Sequence, residues 1–169
     1  MTVSIVRYAD AVDTTWANGG GTTRLLWSDA EDARRISIAT LRQPGAFSLL
    51  PGMLRTLVVL DPVMVSLEID EQAVELKQGD MLSFLGAQRV SLLALNRPGR
   101  VLNVMGRIGR WEPHVSRDSG SLALSGWVAA DAITWNGDAL DRGDLVLGVA
   151  PPTGMLAIAF RLIASSTTT

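Results

Sequence analysis

The chain has 169 residues, 47% of them apolar and 19% charged, with a formal net charge of −2, one histidine and no cysteine. That composition excludes a disordered chain, gives no electrostatic ground for binding nucleic acid or an anionic membrane surface, and rules out disulfide and thiolate chemistry. The length suits one ordinary domain or two small fused halves.

The opening MTVSIVRYAD lacks the apolar core of a secretory signal. No apolar run reaches the roughly 18 residues of a membrane span, so no membrane association is expected and the cytoplasm is the expected compartment.

In chain order, short β-branched and aliphatic runs predict strands at Val3–Tyr8, Thr23–Trp27, Arg35–Leu41, Arg55–Leu60, Val63–Ile69, Asp80–Leu85, Ser91–Asn96 and Val101–Arg107. A second set follows at Ser121–Val128, Ala132–Trp135, Leu145–Val149 and Met155–Ile163. Helical turns are expected only around Ala9–Thr15 and Ser28–Arg34. Pro151-Pro152 reads as a rigid corner, and Ser165–Thr169 as a polar tail. Glu68, Asp70, Glu71 and Glu75 fall on an alternating hairpin with a solvated face.

Short, evenly spaced strands with turn residues between them predict an all-β sandwich or barrel. An internal echo refines this. Leu76-Lys77-Gln78-Gly79-Asp80 recurs as Leu140-Asp141-Arg142-Gly143-Asp144, each launching an apolar strand. The echo fits a cupin-like double-stranded β-helix made of two jelly-roll halves, a bicupin. The expected division is a first barrel over 1–109, a linker over 110–120 holding Trp111, Pro113 and His114, a shorter second half over 121–164, and the tail 165–169. The two halves are compatible with one compact domain.

The segment WANGGG, Trp16 to Gly21, with its companion GAFSLLPGMLR from Gly45 to Arg55, is the least ordinary part of the sequence. Three successive glycines leave a stretch without side chains, which a backbone or a small ligand can approach closely. No Gly-Lys-Ser/Thr follows, so this is not a phosphate loop, and no G-x-G-x-x-G opens a helix.

Strand alternation selects the candidate site. Side chains two apart share a face, so Arg35, Ser37 and Ala39 lie together, as do Asn103, Met105 and Arg107, while Arg55 leads the face of Leu57 and Val59. If those faces line the first barrel, Arg35, Ser37, Arg55, Asn103, Met105 and Arg107 converge at its mouth. Ser48, Asn18 and the amides of Gly19, Gly20 and Gly21 lie nearby, and Trp16 and Phe47 supply apolar walls. Guanidinium groups fix carboxylates by paired hydrogen bonds, so a small carboxylate is the expected ligand. Trp111, Trp127 and Trp135 read as packing, because no basic groove accompanies them.

No cofactor or metal is expected. One histidine cannot supply the several imidazoles that first-row metals take in cupins, and Asp29, Glu31 and Asp32 read as a solvated loop. An all-oxygen magnesium or calcium site stays open. A Ser-His-Asp triad would have to use His114, and no G-x-S-x-G elbow is present.

WANGGGTTRLL (Trp16–Leu26), RISIA (Arg35–Ala39), GAFSLLPGMLRTLVVL (Gly45–Leu60), GDMLSFLG (Gly79–Gly86) and LNVMGRIG (Leu102–Gly109) resemble, in order and spacing, the HutD/Ves family of bicupins. Two positions depart from that pattern. Arg34 stands where the family usually has Trp, and Val101 where it usually has Asp. The resemblance implies an association with histidine utilisation and a regulatory or small-molecule-binding role, without a firmly attached reaction. Two classes of function therefore stand side by side with a third. They are a metal-independent carboxylate sensor, a metal-free enzyme acting on an intermediate of histidine breakdown, and an interaction cupin whose strand edges are compatible with a homodimer. The scarcity of His, Cys or carboxylate bases in the motifs favours the sensor.

Overall fold

The computed structural model describes residues 2–116, 126–151 and 157–165. Pro152, parts of the expected strands at 121–128 and 155–163, and the tail 166–169 lie outside those residues.

The strands are β1 (Ser4–Val6), β2 (Asp13–Thr15), β3 (Gly21–Ser28), β4 (Arg34–Leu41), β5 (Gly45–Ala46), β6 (Met53–Val59), β7 (Val65–Ile69), β8 (Gln72–Leu76) and β9 (Met81–Leu85). They continue as β10 (Val90–Leu95), β11 (Gly99–Arg107), β12 (Trp111–Ser116), β13 (Gly126–Ala129), β14 (Ile133–Trp135), β15 (Asp138–Leu140), β16 (Leu145–Leu147) and β17 (Ala157–Ala164). Among the described residues one 3₁₀ turn is present, at Tyr8–Asp10. No helix among the described residues is long and apolar enough to cross a membrane.

The described residues form four sheets. A four-stranded sheet (β5-β10-β7-β8) faces a six-stranded one (β2-β3-β4-β11-β6-β9), and a five-stranded one (β1-β16-β13-β17-β12) is followed by the hairpin β14-β15. The six-stranded sheet is apolar on both faces because its residues alternate between two cores. Leu41, Leu57, Val59 and Val101 point one way, against Val65, Leu67, Val90 and Leu92. Ile36, Ile38, Val58, Leu102 and Val104 point the other way, against Leu145, Ile158 and Phe160. A third core, built on Trp127, Trp135 and Leu140, fills the second half. This is a cupin-like fold of two jelly-roll halves packed back to back.

The echo in the sequence is an echo in geometry. Gly79 and Gly143 both adopt positive φ. The carboxylates of Asp80 and Asp144 accept from the amides of Lys77 and Asp141. The Gly79 amide donates to Val59 and the Gly143 amide to Ala129, while Val59 and Ala129 donate back to Asp80 and Asp144. β6 and β13 are therefore counterparts, flanked by β11 and β9 in one half and by β17 and β16 in the other. Superposing these ladders sets Trp127 where the first half has Leu57, and Ala159 where it has Asn103. The bulk of Trp127, fully buried and edge-to-face with Trp135, packs the centre of the second half.

The halves are clamped by charge. Asp61 accepts from the Arg100 guanidinium at 2.9 Å and from Arg142 at 3.3 Å, and Arg100 also donates to the carbonyl of Arg142.

Three local expectations are corrected. Residues 111–116 of the expected linker form β12, which pairs along β17 and places His114 opposite Arg161, half exposed. The expected helical turn at Ser28–Arg34 is instead the end of β3 and a loop. There the Asp29 carboxylate accepts from the amides of Ala33 and Arg34, an alternative that short acidic side chains offer the backbone. The turn at Ala9–Thr15 ends early, because Asp13–Thr15 pairs with β3 as an edge strand. Nor does position in the chain set position in space, for β1 pairs with β16 of the second half.

Candidate functional site

The two motifs meet in space. Asn18 Nδ2 donates to the carbonyl of Ala46, and Trp16 and Phe47 stack edge-to-face with centroids 5.6 Å apart. Each glycine of the run serves this junction. Gly19 takes φ +71, a left-handed conformation that costs other residues about 1–2 kcal/mol. At Gly21 a Cβ would collide with the carbonyl oxygen of Thr40. The amides are already used, Gly19 donating to Trp16 and Gly20 to Asn18 Oδ1. Asn18 and the three glycines thus build the wall that holds Trp16, and they do not line the cavity beside it.

That cavity, about 420 Å³, opens on the face of the six-stranded sheet that looks toward the four-stranded one. Its size falls within the range of small-ligand pockets, about 300–1,000 Å³. Of the expected residues, Trp16, Arg35, Ser37, Phe47, Ser48, Arg55, Asn103 and Met105 all line it. Arg107 does not. It lies past the rim at the exposed end of β11, its amide bonded to the carbonyl of Ala33.

Strand register explains the convergence. Met105 on β11 is opposite Arg35 on β4 and Arg55 on β6, so the two arginine Cα atoms flank it about 10 Å apart. One level deeper, Asn103 lies opposite Ser37 and Leu57, and Leu25 opposite Ser37. A bulge between Leu25 and Trp27 shifts the register there, and Leu25 lines the cavity while Leu26 enters the inter-half core.

The two arginines differ sharply. Arg35 is partly exposed and paired with Asp32 at 3.2 Å. Arg55 is only 7% exposed and has no carboxylate partner among the described residues. Its terminal nitrogens donate to the carbonyl of Ser48 at 3.3 Å and to Asn103 Oδ1 at 3.2 Å, and its Nε is buried without a partner. The guanidinium sits 4.9 Å from the Phe84 ring centroid and 5.8 Å from that of Phe47. Burial, helped by the like charge of Arg35, brings its pKa down to about 10.

Arg55 also decides what its neighbours offer. A guanidinium is donor-only, so Asn103 must turn its oxygen toward it, which leaves Nδ2 as a donor without a partner. Ser37 Oγ likewise has no hydrogen bond among the described residues, and Ser37 and Asn103 are 2% and 3% exposed. The cavity therefore gathers a buried cation and uncommitted donors. It holds no imidazole, carboxylate, thiol or amine among its described lining residues. That donor set suits an anion. It does not fit a transition metal, and among the described residues no three His, Cys, Asp or Glu side chains cluster elsewhere.

Thr14, Thr15, Ala17, Thr23, Leu25 and Leu50 also line the cavity beyond the expected set, as does Ala39, on the face that alternation assigns to Arg35 and Ser37. Alternation gives Thr23 and Leu25 once β3 is paired with β4. Thr14 and Thr15 were hidden by the helical reading of β2.

A double jelly roll with an arginine-lined cavity in its first half, and no cluster of metal ligands among the described residues, defines a cupin-like protein. More narrowly, a model of the HutD family matches residues 8–139, and the chain belongs to that family. Among solved structures it is similar to HutD from Pseudomonas fluorescens SBW25, with 24% identity, a TM-score of 0.78, and coverage of 98% of this chain and 100% of that one. A conserved protein of unknown function from Pseudomonas aeruginosa PAO1 follows, at 24% identity and TM-score 0.72 over 98% and 93% of the two chains. Ylba from E. coli shares the fold at 10% identity and TM-score 0.63, over 94% and 85%. No curated protein matches the chain.

Proposed function

We propose that this protein is a metal-independent binder of a small carboxylate, with a regulatory role in histidine utilisation in the cytoplasm. The observation that carries the reading is Arg55, a guanidinium buried beside a cavity without a counter-charge. Burying an unpaired charge is costly unless something neutralises it, and a carboxylate does so by paired, charge-assisted hydrogen bonds. Asn103 Nδ2 and Ser37 Oγ are positioned as further donors.

Binding is favoured over catalysis because the described lining has no group able to take or give a proton near neutral pH. Family membership supports the histidine-utilisation setting.

The test is calorimetry with urocanate, formiminoglutamate, formylglutamate, glutamate and histidine, repeated with Arg55→Met. Saturable binding of one compound without turnover is expected, weakened in the variant by about 2–5 kcal/mol. Equal binding by the variant would refute the role of Arg55, and turnover of a bound compound would make the protein an enzyme.

A further inference from the structure

Resting on that carboxylate reading, we infer that the site takes a monocarboxylate carried on a flat apolar body, an aryl- or heteroaryl-substituted acid, in preference to a dicarboxylate. The first ground is charge balance. Of the two cavity arginines, Arg35 already has the Asp32 carboxylate at 3.2 Å, and only Arg55 is left unmatched. One carboxylate neutralises the site. A second would meet Arg35, whose Nη1 is already held by Asp32 and whose Nε is its one buried nitrogen without a partner, too little for the paired hold a carboxylate takes on a guanidinium.

The second ground is the wall next to Arg55. Phe47 lies under its guanidinium and edge-to-face with Trp16. The indole N–H of Trp16 is committed to Thr23 Oγ1 at 2.8 Å, so the ring presents only apolar surface to a ligand. Leu25, a cavity residue, is 43% exposed, apolar surface left open beside the site. Met105, between the arginines, adds a polarizable sulfur of the kind that favours ring edges. An acid whose carboxylate meets Arg55 places its body directly against this wall. A flexible dicarboxylate would lay a charged end there.

The experiment compares trans-cinnamate, its neutral analogue cinnamyl alcohol, and glutarate, by calorimetry and by tryptophan emission of the full chain. Cinnamate is expected to bind at least about tenfold tighter than glutarate, the worth of one buried aromatic body, and at least about thirtyfold tighter than the alcohol. Phe47→Leu should weaken cinnamate several-fold more than it weakens glutarate. Leu25→Asn, at an exposed position, provides the same comparison if the first variant folds poorly. Glutarate binding as tightly as cinnamate overturns this inference and leaves the carboxylate reading intact. Binding of no acid, or of the alcohol as tightly as the acid, overturns both.

Discussion

A buried charge kept for a ligand should weaken the empty protein, and Arg55 allows that to be measured. Folding lowers its pKa to about 10, chiefly by burial. At about 1.4 kcal/mol per tenfold change in proton affinity, the charged form costs about 3 kcal/mol on folding. The folded value lies below the unfolded one. The penalty is therefore fully present at every pH below about 10 and fades only above it. Arg55→Met removes the penalty, but it also removes two long hydrogen bonds and leaves Asn103 Oδ1 without a donor, a loss of about 1–3 kcal/mol. The single variant should thus be neutral or more stable by about 1 kcal/mol. The double variant Arg55→Met, Asn103→Leu, which removes the orphaned oxygen as well, should gain more. Urea unfolding at pH 7 with an unchanged m-value is the assay. An arginine in a satisfied structural pair would behave in the opposite way, its loss costing about 3–5 kcal/mol. Destabilisation of that size would refute the view that Arg55 is held for a ligand.

Three further outcomes follow from the packing. Trp127→Ala, emptying the centre of the second half, should cost about 3–5 kcal/mol in urea unfolding. Gly21→Ala should cost about 1–3 kcal/mol, because the methyl collides with a fixed carbonyl, and should shift Trp16 emission by moving the wall it stacks on. Burial alone would push the Asp61 carboxyl up, but the hydrogen bonds and charge of Arg100, with Arg142, hold it below its ordinary value. Its folded value is depressed, so its contribution is present above about pH 4 and lost as pH falls through that lower value. Asp61→Asn should therefore cost about 2 kcal/mol at pH 7, and progressively less as the pH falls below about 4, by urea unfolding across that range.

The all-β class, most strand positions, the duplicated turn and about half of the cavity lining are legible in the order of the amino acids alone. Each of these depends on short-range regularities. Side chains alternate with a period of two, and glycine, proline and aspartate mark turns. Arg35, Ser37, Asn103 and Met105 could be assigned to shared faces before any strand was paired, and the Leu-x-x-Gly-Asp turns showed that the two halves correspond. Which of these residues have partners depends on how the layers pack. Arg35 and Arg55 look alike in sequence, yet Asp32 claims one while the other is enclosed by Phe47 from the loop after β5 and by Phe84 and Asn103 from β9 and β11, which pair with its own strand. The glycine amides seemed free for a ligand, but Trp16 and Asn18 had already taken two of them. Arg107 keeps the parity of the site and leaves it because β11 ends there. The stretch around Trp111 became a strand only because β17 was there to pair with it. Parity is local, whereas burial and counter-charge depend on the surrounding layers, and so only the folded chain separates the unpaired cation from its paired neighbour.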